Sequence, residues 1–310
     1  MKLATYLRDG VESFGVVTDG GIVDVPAAWP GGPKSLLAAI EAGADALKRL
    51  GELAAGPADR IPQEAVRLLA PIPAPPKVLG LAVNYAEHHA ECNRGSELPE
   101  DPKLHTTPRP FLMPTTAVTG PGTEIPWPPC SRDIDYEIEL AVVIGSRAKC
   151  VSAAEAAGCI AGYTIANDVS ARSLTHALGR SQRPKDAFFD WLHGKWADGF
   201  CPLGPWLVTA EEIPDPQDLE LELTVDGQTR QKSNTAHMIF SVCEVIAFLS
   251  QLMTLVPGDV IATGTPSGVG VATGGLLKGG ETLTCRIERI GELTNTLAMP
   301  PERFYAPCAG

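Results

Sequence analysis

Asp135-Tyr136-Glu137-Ile138-Glu139-Leu140-Ala141-Val142-Val143-Ile144-Gly145 opens on acids and closes on a nearly continuous apolar run. An apolar run of this length reads as a strand buried on both faces. Residues two apart on a strand project from the same face, so Glu137 and Glu139 bring two carboxylates into one small volume. Downstream, Asn167-Asp168-Val169-Ser170-Ala171-Arg172 supplies a third acid. Bare carboxylates held that close repel, and a divalent cation at Glu137, Glu139 and Asp168 is the simplest resolution. Glu-x-Glu also occurs on the solvated face of an edge strand. The apolar continuation favours acids that enter an interior and therefore need partners.

Before this stretch, residues 1 to 30 alternate apolar and polar, with turns at Arg8-Asp9-Gly10 and Thr18-Asp19-Gly20-Gly21, which predicts a small antiparallel meander. Lys34 to Leu50 shows helical spacing. Pro71-Ile72-Pro73-Ala74-Pro75-Pro76 is stiff and extended and marks a domain boundary. The expected division is a small domain over 1–70, a catalytic domain over 71–295 and a loosely held tail over 296–310. Val78 to Val83 reads as a strand entering a helix over Asn84 to Glu91 that Asn84 caps. The polar stretch from Asn93 to Pro110 is long for a structureless loop and suits a lid. Further strands are expected over Leu219 to Val225, Asp259 to Thr263 and Glu281 to Arg289, and a helix over Ser241 to Leu255.

The chain has 310 residues, 44% of them hydrophobic, enough for a substantial core. Its 25 basic and 37 acidic residues leave a formal charge of -12 with no Lys/Arg cluster, which disfavours nucleic acid and anionic membrane surfaces as partners. No signal-like or membrane-spanning apolar run occurs, and the expectation is a cytoplasmic protein. The eight cysteines form no C-x-x-C pair and are expected to be reduced.

Four further features carry chemistry. His88 and Glu91, three apart, share a helix face as a general-base pair, or else make an incidental surface contact. Lys195 is a lone cation among aromatics, Gly and Pro; it either meets a substrate oxygen or is an exposed lysine before a turn. Arg172 serves as an anion clamp or a structural ion-pair partner. The small residues of Ala262-Thr263-Gly264-Thr265-Pro266-Ser267-Gly268-Val269-Gly270 let backbone amides and the Thr265 hydroxyl approach a ligand, or simply form a turn-rich connection; the run fits neither nucleotide-binding fingerprint.

Taken in order, these motifs resemble the fumarylacetoacetate hydrolase family over roughly residues 75 to 290. The resemblance rests on Gly80 to Tyr85 with His88 and Glu91, on Asp135 to Leu140, on Gly162 to Arg172, on Gly194-Lys195 with Pro202-Leu203-Gly204-Pro205, and on Gly264 to Gly270. It implies an α+β, mainly β chain: a mixed β-sandwich roll with a small β-rich N-terminal domain, assembled as a homodimer. It implies Mg2+, with Mn2+ or Ca2+ as alternatives, at Glu137, Glu139 and Asp168, with His88, Glu91 and Lys195 catalytic. Tyr85, Arg172, Gly264 and Thr265 are the implied substrate contacts. Ser173 and Thr175 depart from the family pattern, where an Asp and a Gln are common.

The implied reaction is hydrolysis of a carbon-carbon bond in a 2,4-dioxo acid, with the cation acting as Lewis acid and His88 activating water. The same residues would serve decarboxylation of oxaloacetate or isomerisation of an unsaturated 2-oxo diacid. A catalytically silent ligand-binding homologue is the non-enzyme alternative.

Overall fold

The computed structural model describes residues 1–92, 101–174 and 183–304. The N-terminal meander consists of β1 (Lys2–Arg8), β2 (Val11–Thr18) and β3 (Gly21–Asp24), followed by α1 (Leu36–Glu41) and α2 (Ala44–Ala55). The helical spacing from Lys34 is thus split in two, because Gly43 adopts φ 83° and ends the first helix. Next come β4 (Val78–Leu81), α3 (Ala86–Cys92), β5 (Pro110–Met113), β6 (Ile138–Ile144), β7 (Ile160–Asn167), α4 (Asp186–His193) and β8 (Cys201–Thr209). The chain ends through β9 (Glu220–Val225), β10 (Gln228–Asn234), α5 (Val242–Leu252), β11 (Val260–Ala262), β12 (Thr282–Ile287) and β13 (Gly291–Leu297).

Two sheets account for most of these strands. The larger runs β3-β2-β1-β8-β7-β6-β11-β4-β5, antiparallel except where β11 and β4 run parallel. The smaller runs β10-β9-β12-β13 and continues into the strand Glu124–Ile125. The fold class is α+β, mainly β. Along β6 the pleat feeds two cores, as a strand buried on both faces must. Leu140, Val142 and Ile144 pack toward Leu223, Leu283 and Val245 of the smaller sheet and α5. Ala141 and Val143 pack toward Phe14, Leu36 and Ile40. α5 begins at a capping box in which Ser241 and Glu244 satisfy each other's backbone amides.

Several features bear on the expected division of the chain. Because β1 is hydrogen-bonded to β8, the larger sheet runs without a gap from the N-terminal meander into the catalytic part. The Pro-rich joint also makes crossing contacts: Thr5 Oγ1 donates to the Pro71 carbonyl at 2.7 Å and Ile72 is buried. Thr296 and Leu297 belong to β13, and Leu297 is buried, so the last strand reaches past 295. Of the polar stretch from Asn93 to Pro110, residues 93–100 lie outside the described residues, and 101–110 include a single 3-10 turn at Pro102–Leu104; residues 175–182 also lie outside them. No helix among the described residues is long and apolar enough to cross a membrane.

Asn84 does not cap the helix. Its Nδ2 donates to the Phe240 and Thr263 carbonyls, both at 2.9 Å, while its Oδ1 accepts from the Phe240 amide at 2.9 Å. The side chain therefore ties the entry of α3 to two distant loops. Val83, just before it, is held at φ 55°, a strained setting for a β-branched residue. Asn84→Ala is expected to lower unfolding free energy by about 2–4 kcal/mol, since it strands several buried backbone groups; urea denaturation at neutral pH measures it.

Candidate active site

Glu137 lies just ahead of β6, and Glu139 lies within it. The short strand Ile134–Asp135 ends before Tyr136, so the acidic stretch and the apolar run are not one continuous strand. The break arises where the Glu137 amide donates to the Asn167 side chain at 3.0 Å instead of joining a ladder. Side-chain parity survives the break. Asp168 follows β7, its amide donating to the Glu137 carbonyl at 2.8 Å. One oxygen from each of Glu137, Glu139 and Asp168 lies within 4.8 Å of the others, and all three side chains are buried.

Lys195 is not an exposed lysine. It is 1% exposed, and its Nζ donates to Glu137 Oε2 and Asp168 Oδ2, both at 2.7 Å. Arg172 supplies a second cation: its Nε donates to Asp135 Oδ2 at 2.9 Å and its Nη2 to Glu137 Oε1. Arg172 thus makes the ion pairs of one reading, and its side chain also lines the cavity as the other requires. These cations are unevenly shared. Burial alone would raise Glu137, but Lys195 and Arg172 overcome it and hold the carboxyl down at about 2. Burial raises Asp168 to about 7, with Lys195 opposing and Glu137 reinforcing the shift. Glu139 is raised by burial, then by Asp168 and Glu137, and the Gly264 amide that donates to its Oε2 at 2.7 Å only partly offsets this.

A divalent cation fits this surplus of buried negative charge. Asp168 Oδ1 is buried without a hydrogen-bond partner, and the converging donors are all carboxylate oxygens, the set that hard cations such as Mg2+, Mn2+ and Ca2+ prefer.

His88 and Glu91 do meet. Glu91 Oε2 lies 2.8 Å from His88 Nδ1, while Glu91 Oε1 accepts from the Gly268 amide at 3.0 Å, so the Gly-rich loop fixes the carboxylate that orients the imidazole. His88 is buried rather than on a surface helix. Burial pulls its imidazole down, but Cys92, Glu91 and the charge of Glu137 outweigh this and raise it to about 10. A cation beside Glu137 would oppose the proton on His88 and free the ring to act as a base. Cys92 carried no motif in the sequence; its Sγ lies 3.6 Å from His88 Nε2 because residues four apart on α3 share a face.

Glu137, Asp168, Arg172, Lys195, His88 and Thr265 all border one cavity of about 760 Å³. Two expected substrate contacts do not border it. Tyr85 is fully buried, and the Gly264 amide is committed to Glu139. Gly264 is nonetheless required as glycine: its φ is 97°, and an added Cβ would lie 2.7 Å from the Asn84 Cβ. The Thr265 hydroxyl donates to the Ile138 carbonyl at 2.9 Å and accepts from Gln231 at 2.8 Å. Ser173 accepts from the Arg132 amide at 3.3 Å, and Thr175 lies outside the described residues.

Residues 77–298 match the sequence model described as fumarylacetoacetate (FAA) hydrolase C-terminal. The chain is 40% identical over 278 residues to the mitochondrial oxaloacetate tautomerase FAHD2A of Bos taurus, covering 89% of this chain and 83% of that one. Among solved structures it resembles fumarylacetoacetate hydrolase from Exiguobacterium antarcticum, with TM-score 0.78, 31% identity and coverage of 96% and 99% of the two chains. It also resembles maleylpyruvate hydrolase from Sphingobium sp. SYK-6 in complex with manganese(II) ion and pyruvate, with TM-score 0.74, 30% identity and coverage of 97% and 100%.

Proposed function

The chain belongs to the fumarylacetoacetate hydrolase family, and from that premise we propose that this enzyme hydrolyses the bond between carbons 3 and 4 of a 2,4-dioxo acid. The observation that carries the reading is the convergence of Glu137, Asp168, Lys195 and the His88–Glu91 pair on one cavity, with a Glu139 oxygen within 4.8 Å of the other two acids. Glu137, Glu139 and Asp168 would hold Mg2+ or Mn2+, which when bound supplies Lewis-acid polarisation of the 2-oxo acid oxygens.

Within this site each residue has a definite task. Glu91 fixes the His88 ring through Nδ1, leaving Nε2, beside Cys92, to take a proton from water. The water oxygen adds to carbon 4, the bond to carbon 3 breaks, and its electron pair stays on carbon 3. The proton taken by His88 returns to carbon 3, giving pyruvate and a carboxylic acid, so atoms and charge balance. Lys195, held between Glu137 and Asp168, offsets negative charge that grows on substrate oxygen.

Acetylpyruvate tests the reading directly. Loss of its enol absorbance with stoichiometric pyruvate, present with Mg2+ and absent with EDTA, is the expected result; full release with EDTA would contradict it. Glu91→Gln is expected to slow turnover by up to about 1,000-fold by freeing the ring, with cation binding retained, as steady-state kinetics and calorimetry would measure.

A second reading is favoured by the similarity to oxaloacetate tautomerase. There the same pair would shuttle a proton between carbon 3 and the 2-oxygen with no bond between carbons broken. Accelerated decay of enol-oxaloacetate without pyruvate formation would support it.

A further inference from the structure

The cavity is far larger than a 2-oxo acid head requires. Its volume of about 760 Å³ falls in the range of roughly 300–1,000 Å³ that buries drug-sized molecules. Glu137, Asp168, Arg172 and Lys195 are joined in its wall by ion pairs. From there an aromatic wall leads outward: Lys195 Nζ lies 5.7 Å from the Phe111 ring centroid and 5.9 Å from that of Trp191. Phe111 and Trp191 meet edge-on at 5.1 Å, and Trp191 and Phe188 follow at 5.8 Å. Phe188 is 54% exposed and Trp196 40%, an unusual investment of large apolar surface beside a polar site. Gly80 makes the wall possible, since an added Cβ would lie 2.2 Å from Phe111 Cζ and displace the ring.

We propose that the substrate carries a bulky apolar group, best an aromatic one, on the carbonyl carbon remote from its 2-oxo acid head, seated against Phe111, Trp191 and Phe188. The inference rests on the 2-oxo acid reading above and names the part of the substrate which that reading leaves open. Arg109 also borders the cavity and supplies the competing prospect, a tail that ends in a carboxylate.

The experiment compares kcat/KM for benzoylpyruvate, acetylpyruvate and succinylpyruvate on the Mg2+-loaded enzyme. Burial of a phenyl ring predicts a preference for benzoylpyruvate over acetylpyruvate of about 10- to 100-fold. Phe188→Ser and Trp191→Ala should each shrink that ratio; Phe188 is exposed enough for its variant to fold. Equal values for the three, or a preference for succinylpyruvate, would overturn the proposal while leaving carbon-carbon hydrolysis standing. If no substrate released pyruvate, the hydrolytic reading would fail alone, and calorimetry of benzylpyruvate against pyruvate on the same protein would decide the tail. Tighter binding of benzylpyruvate by a similar factor supports the apolar wall, and equal binding overturns it.

Discussion

Asp168→Asn is expected to weaken divalent-cation binding by on the order of 100-fold or more and to remove turnover with it. The substitution keeps the shape of the side chain but removes the charge. It leaves Lys195 with Glu137 as counter-ion, so the larger sheet should still assemble. What disappears is the negative charge behind the buried, unpartnered Oδ1, the donor best placed for a cation. Thermal melts report the change independently of activity. Wild-type protein at a cation concentration 100 times its Kd should gain about 2.7 kcal/mol of stability, and the variant should gain almost none. The pH dependence has a definite sign. An acid raised by burial destabilises the folded state as pH climbs from its ordinary range through about 7, and asparagine removes that liability, so the cation-free variant should lose less stability than the cation-free wild type between pH 5 and 8.

His88→Ala should separate chemistry from cation binding. The expected rate loss is about 100- to 10,000-fold, the usual contribution of a positioned acid or base. The acid cluster keeps Lys195 and Arg172, so calorimetry should find Mn2+ affinity changed by less than about tenfold. Rates near wild type would remove His88 from the reaction. Loss of Mn2+ binding together with activity would instead assign it to the cation site.

The acids were legible because their signal is local: Glu137 and Glu139 are two apart, and the run behind them could only be buried. His88 and Glu91 were legible for the same reason at helical spacing. Lys195 was legible only through the family resemblance and not from local spacing, since its partners Glu137 and Asp168 lie 58 and 27 residues away and only the fold decides whether a lysine before a turn reaches inward. Gly264 looked like a ligand-facing glycine, but its amide serves Glu139, 125 residues away in sequence. Asn84 looked like a cap because it precedes a helix, whereas buried carbonyls on two loops compete for its side chain and win. The fold class follows from the apolar run of β6. The joining of the N-terminal meander to the same sheet does not, because pairing of β1 with β8 is a long-range register that no local pattern encodes.

The most direct measurement titrates Mn2+ into cation-free enzyme with acetylpyruvate present, following bound Mn2+ by electron paramagnetic resonance and pyruvate release in the same samples. Pyruvate release that rises in step with one bound ion per chain, with both signals abolished in Asp168→Asn, is the predicted result. Pyruvate formed before any Mn2+ binds, or Mn2+ held as tightly by Asp168→Asn as by the wild type, would contradict a cation site built from Glu137, Glu139 and Asp168.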